Sequence, residues 1–263
     1  MKNTSIGLRL GSSQQPQKKY HFSVDDVFDS LIEVTDRGIP LKEHIFFAIL
    51  WDRWKKYGLK TGLYLFYQKD INGSLRTLKE VRDISDELKD EWLMFGPHAF
   101  NPMTPPYSQS VEEQKFVFDG IYQQIERFAG NYRSNYVRLH YYSESYELGE
   151  YFKGKGVRAL FTTDKSAGSH RMPNKNRDEL IGKGCTNYNQ CDFIRTNFRV
   201  EILANESLNY EDILSLFTKT IDLHSDIVIY AHEYEFQRAE VCDMFNLCID
   251  ILEGSLNMKS ISP

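Results

Sequence analysis

Seven short runs rich in aromatic, aliphatic and β-branched residues punctuate the chain, at residues 20–26, 60–67, 92–101, 136–142, 157–164, 197–203 and 226–233. Between most of them, apolar residues recur at the three- and four-residue spacing of an amphipathic helix, most clearly over residues 41–57, 111–128, 210–221 and 236–252. Strands separated by helices cannot pair as tight hairpins. Each must cross back over the sheet and join it in parallel. Seven such units in 263 residues predict an α/β fold, an irregular (β/α)7 TIM-like barrel in a single domain. Residues 1–18 read as a loose, polar N-terminal lead-in and residues 19–263 as the barrel domain. A helix is expected near residues 85–89 and another over 144–152. Residues 165–192, with Gly168, Pro173, Gly182 and Gly184, are the least regular stretch and read as a loop or hairpin over a site.

Ionisable side chains gather where these strands end. Asp25 and Asp26 close the first run, His98 and Asn101 follow the third, and His140 falls in the fourth. Asp164 closes the fifth run, Arg199 and Glu201 lie in the sixth, and His232 and Glu233 end the seventh. In a barrel of alternating strands and helices, sites are assembled at the C-terminal rim, so this placement marks a site. Neighbouring residues on a strand point to opposite sides, which gives Asp25 and Asp26 separate surroundings and separate tasks. The alternative for Asp26 is a helix N-cap. Arg199 and Glu201 share a strand face and suit a buried ion pair. Asp164 suits orientation of His232 or Asp25, or a cap.

Charge narrows the partners. Lys and Arg number 32 against 37 Asp and Glu, so 32 − 37 gives −5, and no basic run is long enough to track a phosphate backbone. Nucleic acid is therefore not an expected partner, and a small molecule or sugar is. The first ten residues contain no apolar signal core, and no later run has the apolar length of a membrane span, so a cytoplasmic location is expected. Cys185 with Cys191 and Cys242 with Cys248 lack the spacing of a zinc site; they read as reduced thiols, with a 185–191 loop disulfide as the alternative. Tyr132, Tyr136, Tyr141, Tyr142, Tyr146 and Tyr151 offer either stacking faces for sugar rings or core packing.

With these residues placed, the chain resembles a divergent member of the polysaccharide deacetylase (carbohydrate esterase) superfamily. Ser23-Val24-Asp25-Asp26 is similar to the family's first motif, Phe95-Gly96-Pro97-His98-Ala99-Phe100-Asn101 to its second, and Ala231-His232-Glu233 to its last. The resemblance implies a metal-dependent hydrolase that removes an N- or O-acetyl group from a sugar or polysaccharide. It implies Asp25 as general base, His232 as acid, and Asp26 and His98 as ligands of a divalent metal, zinc being the expected ion. The family's third ligand is a second His in the second motif. Asn101 stands near that place here, and His140 is the other candidate. Val27 follows the paired acids where the family has Gly. His140, Asp164, Arg199, Glu201 and Glu233 are left as substrate contacts or supports of the site. Two other functions remain open: a metal-free glycoside hydrolase using Asp26 with Glu233 or Glu201, and a carbohydrate-binding barrel without catalysis.

Overall fold

The first run forms β1 (Lys19–Val27), which is buried from its second residue onward except at the partly buried Asp26 and is flanked by parallel strands on both sides. The computed structural model describes residues 18–142, 146–163, 165, 172–224 and 226–263. After β1 come α1 (Asp29–Arg37), α2 (Ile45–Tyr57), β2 (Thr61–Phe66), the hairpin β3 (Gln68–Ile71) and β4 (Ser74–Thr77), β5 (Leu93–Ala99) and α3 (Val111–Ala129). The chain continues through β6 (Tyr136–Arg138), α4 (Gly149–Gly154), β7 (Ala159–Phe161), α5 (Asn174–Lys183) and the hairpin β8 (Cys185–Tyr188) and β9 (Cys191–Ile194). It ends with β10 (Phe198–Arg199), α6 (Val200–Asn205), α7 (Tyr210–Leu223), β11 (Asp226–His232), α8 (Ala239–Asp250) and β12 (Lys259–Ser260).

Apart from the separate β3–β4 hairpin, the strands fall into two sheets that together make the irregular barrel. One has the order β10-β11-β1-β2-β5, with β12 beside β1, and the other the order β6-β7-β9-β8. At one junction, Phe95 in β5 donates to Tyr132 O at 2.9 Å and accepts from Ser134 N at 2.8 Å. At the other, β9 runs on into β10, and Asn197 N donates to Val228 O at 2.8 Å. No continuous ladder closes the ring among the described residues, so the barrel is open at its seams. Strand alternation sorts β1 between its two faces. Phe22 packs outward on Phe245 of α8 at 4.7 Å between ring centroids, and Tyr20 donates its hydroxyl to Glu253 at 2.9 Å. His21 points inward against Phe161 at 4.4 Å, and Asp25 inward toward Arg138. The barrel interior is thus partly polar, and the helices seal the apolar face.

Several local expectations are corrected. The run at 197–203 is a strand for two residues only. Val200, Leu203 and Ala204 also fit helical spacing, and burying them against α8 turns the chain into α6. The sixth parallel position goes instead to β9, the second strand of a hairpin that forms at the end of the stretch read as a loop or hairpin. The 136–142 strand stops at Arg138, because Tyr141 takes φ 55° in the left-handed region. The expected helix near 85 is one turn, Ser85–Leu88, and the polar stretch before it holds the β3–β4 hairpin. Asn72 and Gly73, at φ 54° and 81°, make the tight turn that an Asn-Gly pair favours. Cys185 pairs across its hairpin with Ile194 and Cys191 with Tyr188, and all four cysteines are free thiols. Among the tyrosines, Tyr136 stacks on Phe161 and Tyr146 on Tyr188, which is packing, whereas Tyr141 is half exposed.

Candidate active site

The two adjacent acids are separated by backbone geometry as well as by alternation. Asp26 has φ 61°, and the β1–β2 register shifts between Val24 and Val27, so the strand bulges where its second acid sits. A non-glycine residue held in the left-handed region is strained, and such strain concentrates at functional sites. Asp25 stays in register opposite His232 of β11 and faces the barrel interior, while Asp26 turns toward β5 and the segment after β6. α1 has Phe28 rather than Asp26 at its N-cap position, so the capping alternative for Asp26 is not what the fold uses.

Asp26 meets two histidines. Its Oδ1 lies 3.1 Å from His98 Nε2 and 3.2 Å from His140 Nδ1, and the two ring nitrogens are 3.2 Å apart. The remaining nitrogen of each ring faces a backbone carbonyl: His98 Nδ1 donates to Arg138 O at 2.7 Å, and His140 Nε2 to Pro102 O at 3.1 Å. A carbonyl only accepts, so each ring carries a proton on the nitrogen that faces it, and in the neutral tautomer the converging nitrogen offers a lone pair. Phe66 covers both rings edge-on, at 5.4 and 4.9 Å between centroids. Among the described residues this is the one group of three His, Cys, Asp or Glu whose ligand atoms all lie within 4.8 Å of one another.

The three separations suit an ion. Donors about 2.0–2.1 Å from a tetrahedral metal stand roughly 3.3–3.4 Å apart, and the observed spacings fall within a few tenths of that. Two neutral imidazoles and a carboxylate are also a donor set that zinc accepts. Asn101, the other candidate for the third position, lies outside the group: its Oδ1 accepts from Met103 N at 2.8 Å in a local turn.

Beside this group stands a second set. Asp25 is buried, and its Oδ2 lies 3.3 Å from Arg138 Nε. The guanidinium donates to Thr162 O at 3.2 Å and to Thr196 Oγ1 at 2.5 Å, and lies 4.2 Å from the Tyr230 ring centroid. Burial raises the pKa of Asp25, against the pull of Arg138, His98 and His232. His232 Nδ1 lies 2.6 Å from Glu201 Oε1, at the first turn of α6. Burial works against its protonated form, but the hydrogen bond and charge of Glu201, with those of Asp25 and Asp26, raise its pKa overall. Arg199 Nε approaches the same Glu201 oxygen at 3.8 Å, so the expected Arg199–Glu201 pair forms, across a strand–helix junction.

Glu233 faces away from His232. Its carboxylate accepts from the backbone N–H groups of Phe28 at 3.0 Å, Asp29 at 3.1 Å and Ser30 at 2.8 Å, which open α1. It caps a helix 203 to 205 residues earlier in the chain and ties the end of β11 to the bulge that carries Asp26. Asp164 lies outside the described residues. Thr196 and Phe66 were not singled out in the sequence, which carries no signal for either: a threonine in a loop and a phenylalanine in an apolar strand have no distinguishing pattern.

No protein-family model matches the chain, and no curated protein sequence matches it. Solved structures do. The 4-alpha-glucanotransferase of Thermococcus litoralis aligns over 93% of this chain with a TM-score of 0.56 and 11% identity, and the chain spans 39% of that protein. The Bc1960 peptidoglycan N-acetylglucosamine deacetylase aligns over 94% of this chain and 86% of its own, with a TM-score of 0.51 and 11% identity. The chain shares the fold of these two proteins. The peptidoglycan deacetylase PdaC of Bacillus subtilis is a further match, at 14% identity and a TM-score of 0.48 over 94% of this chain and 89% of its own. No helix among the described residues is long and apolar enough to cross a membrane.

Proposed function

We propose that the chain is a metal-dependent deacetylase that hydrolyses an N- or O-acetyl group on a carbohydrate. One observation carries this reading: three lone pairs, on Asp26 Oδ1, His98 Nε2 and His140 Nδ1, meet at 3.1–3.2 Å with each imidazole locked by a carbonyl behind it. Three acceptors packed this closely repel one another unless a cation lies between them. Asp26, His98 and His140 would hold the ion, with zinc as the candidate. Bound there, it would polarise the acyl carbonyl and lower the pKa of a bound water.

The chain's own residues supply the proton transfers. Asp25 takes the proton of the attacking water; its Oδ1 has no hydrogen-bond partner among the described residues, and burial has already raised its affinity for a proton. Arg138 pairs with Asp25 through the other oxygen and opposes the burial that favours its protonated form. His232, with Nδ1 directed to Glu201, keeps Nε2 for the departing amine or alcohol, and its raised pKa favours the protonated form that an acid needs. Asp25 and His232 are cross-strand neighbours, so base and acid flank one position. Bc1960, which shares the fold, is a peptidoglycan N-acetylglucosamine deacetylase, and this supports an N-acetylated hexosamine as the substrate class.

A metal-free glycosidase reading has less support. It needs Asp26 with Glu233 or Glu201 facing a sugar, and Asp26 is held by two imidazoles, Glu233 by three backbone N–H groups and Glu201 by His232. The test is acetate release from N-acetylglucosamine oligomers and an O-acetylated sugar ester by protein stripped of metal and reloaded with zinc. Release that depends on zinc and disappears in Asp25→Asn is expected. Failure to bind any divalent ion in a chelator competition, together with no acetate release, refutes the reading.

A further inference from the structure

Glu201 holds the His232 imidazole at one point. The bond between Nδ1 and Oε1, at 2.6 Å, fixes one nitrogen but leaves the ring free to turn about the line joining the two atoms. Such a turn swings Nε2, the nitrogen kept for the leaving group, out of place. Two aromatic rings bear on this freedom. Tyr230, two residues earlier on the same face of β11 and fully buried, meets the imidazole edge-on at 5.4 Å between centroids, with 71° between the planes. Tyr234 lies nearly parallel to the imidazole, at 5.3 Å and 23°, in the offset-stacked arrangement that aromatic pairs favour.

Tyr234 is half exposed, and exposed side chains ordinarily change rotamer within nanoseconds. Here the backbone that carries it is anchored on either side. β11 ends at His232, and Glu233–Gln237 form a short 3-10 turn that brings the ring of Tyr234 back over residue 232. Before Tyr234, Glu233 is tied to three N–H groups at the start of α1. After it, Phe236 packs edge-on against Phe46 at 5.3 Å and Phe245 at 5.5 Å. The Arg238 guanidinium then bridges Glu235 and Asn205, at 2.7 Å each, and joins the turn to the end of α6. The Tyr234 hydroxyl stays neutral beside these acids: burial, with the charges of Asp26, Glu201 and Glu235, pushes its pKa up to about 12. We propose that Tyr234 is a positioning residue, whose ring fixes the plane of the His232 imidazole while Glu201 fixes its tautomer. The proposal deepens the reading of His232 as the acid and rests on that reading for its kinetic consequence alone.

Two variants of the full chain test it. Tyr234→Phe keeps the stacked face, and Tyr234→Leu keeps apolar bulk without it. Nuclear magnetic resonance of the metal-free protein reads the His232 ring with no turnover. Wild type and Tyr234→Phe are expected to show His232 ring protons shifted upfield by the neighbouring ring, with high order parameters for the ring C–H bonds. Tyr234→Leu should lose the upfield shift and the order, while Nδ1 keeps the nitrogen shift of a group bonded to Glu201. With zinc and an acetylated sugar, Tyr234→Leu should lower kcat about tenfold at unchanged KM, the size of one lost aromatic pair, and Tyr234→Phe should restore it. Equal ring order in all three proteins overturns the proposal whether or not acetate is released. So does a Tyr234→Phe variant as disordered as Tyr234→Leu, since the hydroxyl rather than the ring face would then be the holding group. Ring order that follows the aromatic face supports the positioning role even if no acetyl group is cleaved, in which case the deacetylase reading alone fails.

Discussion

Replacing Glu233 by alanine removes the carboxylate that receives three backbone N–H groups at the start of α1. A buried donor left without a partner costs about 1–3 kcal/mol, which for three donors sets an upper range of roughly 3–9 kcal/mol. Two features lower that figure. The Asp29 N–H is only partly buried, and Glu233 borders a cavity of about 370 Å3 shared with Asp29 and Ser30, through which water can reach the vacated position. Losing the favourable contact of a carboxylate with the helix N-terminus adds about 0.5–1 kcal/mol. The expected cost is therefore about 2–4 kcal/mol. Glutamine keeps one acceptor oxygen where Oε2 serves Phe28 and Asp29, but turns its amide toward Ser30 N, so about 1–2 kcal/mol is expected. Urea unfolding reads this as a lower midpoint at constant slope. At this chain length the alanine variant should melt about 5–10 °C lower. An alanine variant within about 0.5 kcal/mol of wild type, with unchanged slope, would refute the capping argument.

Three further outcomes follow from the site. His140→Ala should weaken zinc binding at least tenfold in a chelator competition, whereas Asn101→Ala should leave it unchanged; the reverse order would return the third ligand to Asn101. Glu201→Gln should move the alkaline limb of the rate profile to lower pH, because Glu201 is the main group that raises His232 against its burial. The same pairing stabilises the fold fully below the ordinary histidine value of 6.5 and loses that contribution as pH rises through the elevated folded value, so the wild-type advantage over Glu201→Gln in chemical unfolding should shrink on the alkaline side. Arg138→Met leaves the Asp25 carboxylate buried without its cation and should cost about 3–5 kcal/mol at neutral pH, with a smaller loss in acid where Asp25 takes up a proton.

What was legible in the sequence depended on how far each signal reached. The alternation of strand and helix gave the parallel barrel, and the position of acids and histidines at strand ends marked residues that the fold brings together, Asp26 with His98 and His140 among them. The bulge at Asp26 was not legible, because φ at that residue is set by the β1–β2 register. The choice of His140 over Asn101 was open for a similar reason: it depends on β6 ending at Arg138 and on Pro102 offering a carbonyl to the imidazole. The stretch 197–203 satisfied both strand and helix periods, and packing against α8 decided it. Glu233 looked like a partner for the neighbouring His232, but a carboxylate next in sequence at a strand end points elsewhere, and Glu201 takes that place from a different element. The Asn72-Gly73 hairpin was readable from local residues alone, and its strands lay within a segment whose polarity suggested no sheet.

Arg138 has two ends with different duties. Its carbonyl oxygen holds His98 at 2.7 Å, and its guanidinium holds Asp25 at 3.3 Å. One residue therefore sets the spacing between the Asp26–His98–His140 group and Asp25, the proposed base, so a sideways slip of β6 would carry both together and leave their separation nearly intact. The two duties also come apart chemically, because the carbonyl survives any side-chain change. A chain carrying Met at this position should still load zinc while its base is no longer held, which would make Arg138→Met a binder of acetylated sugar that does not turn it over.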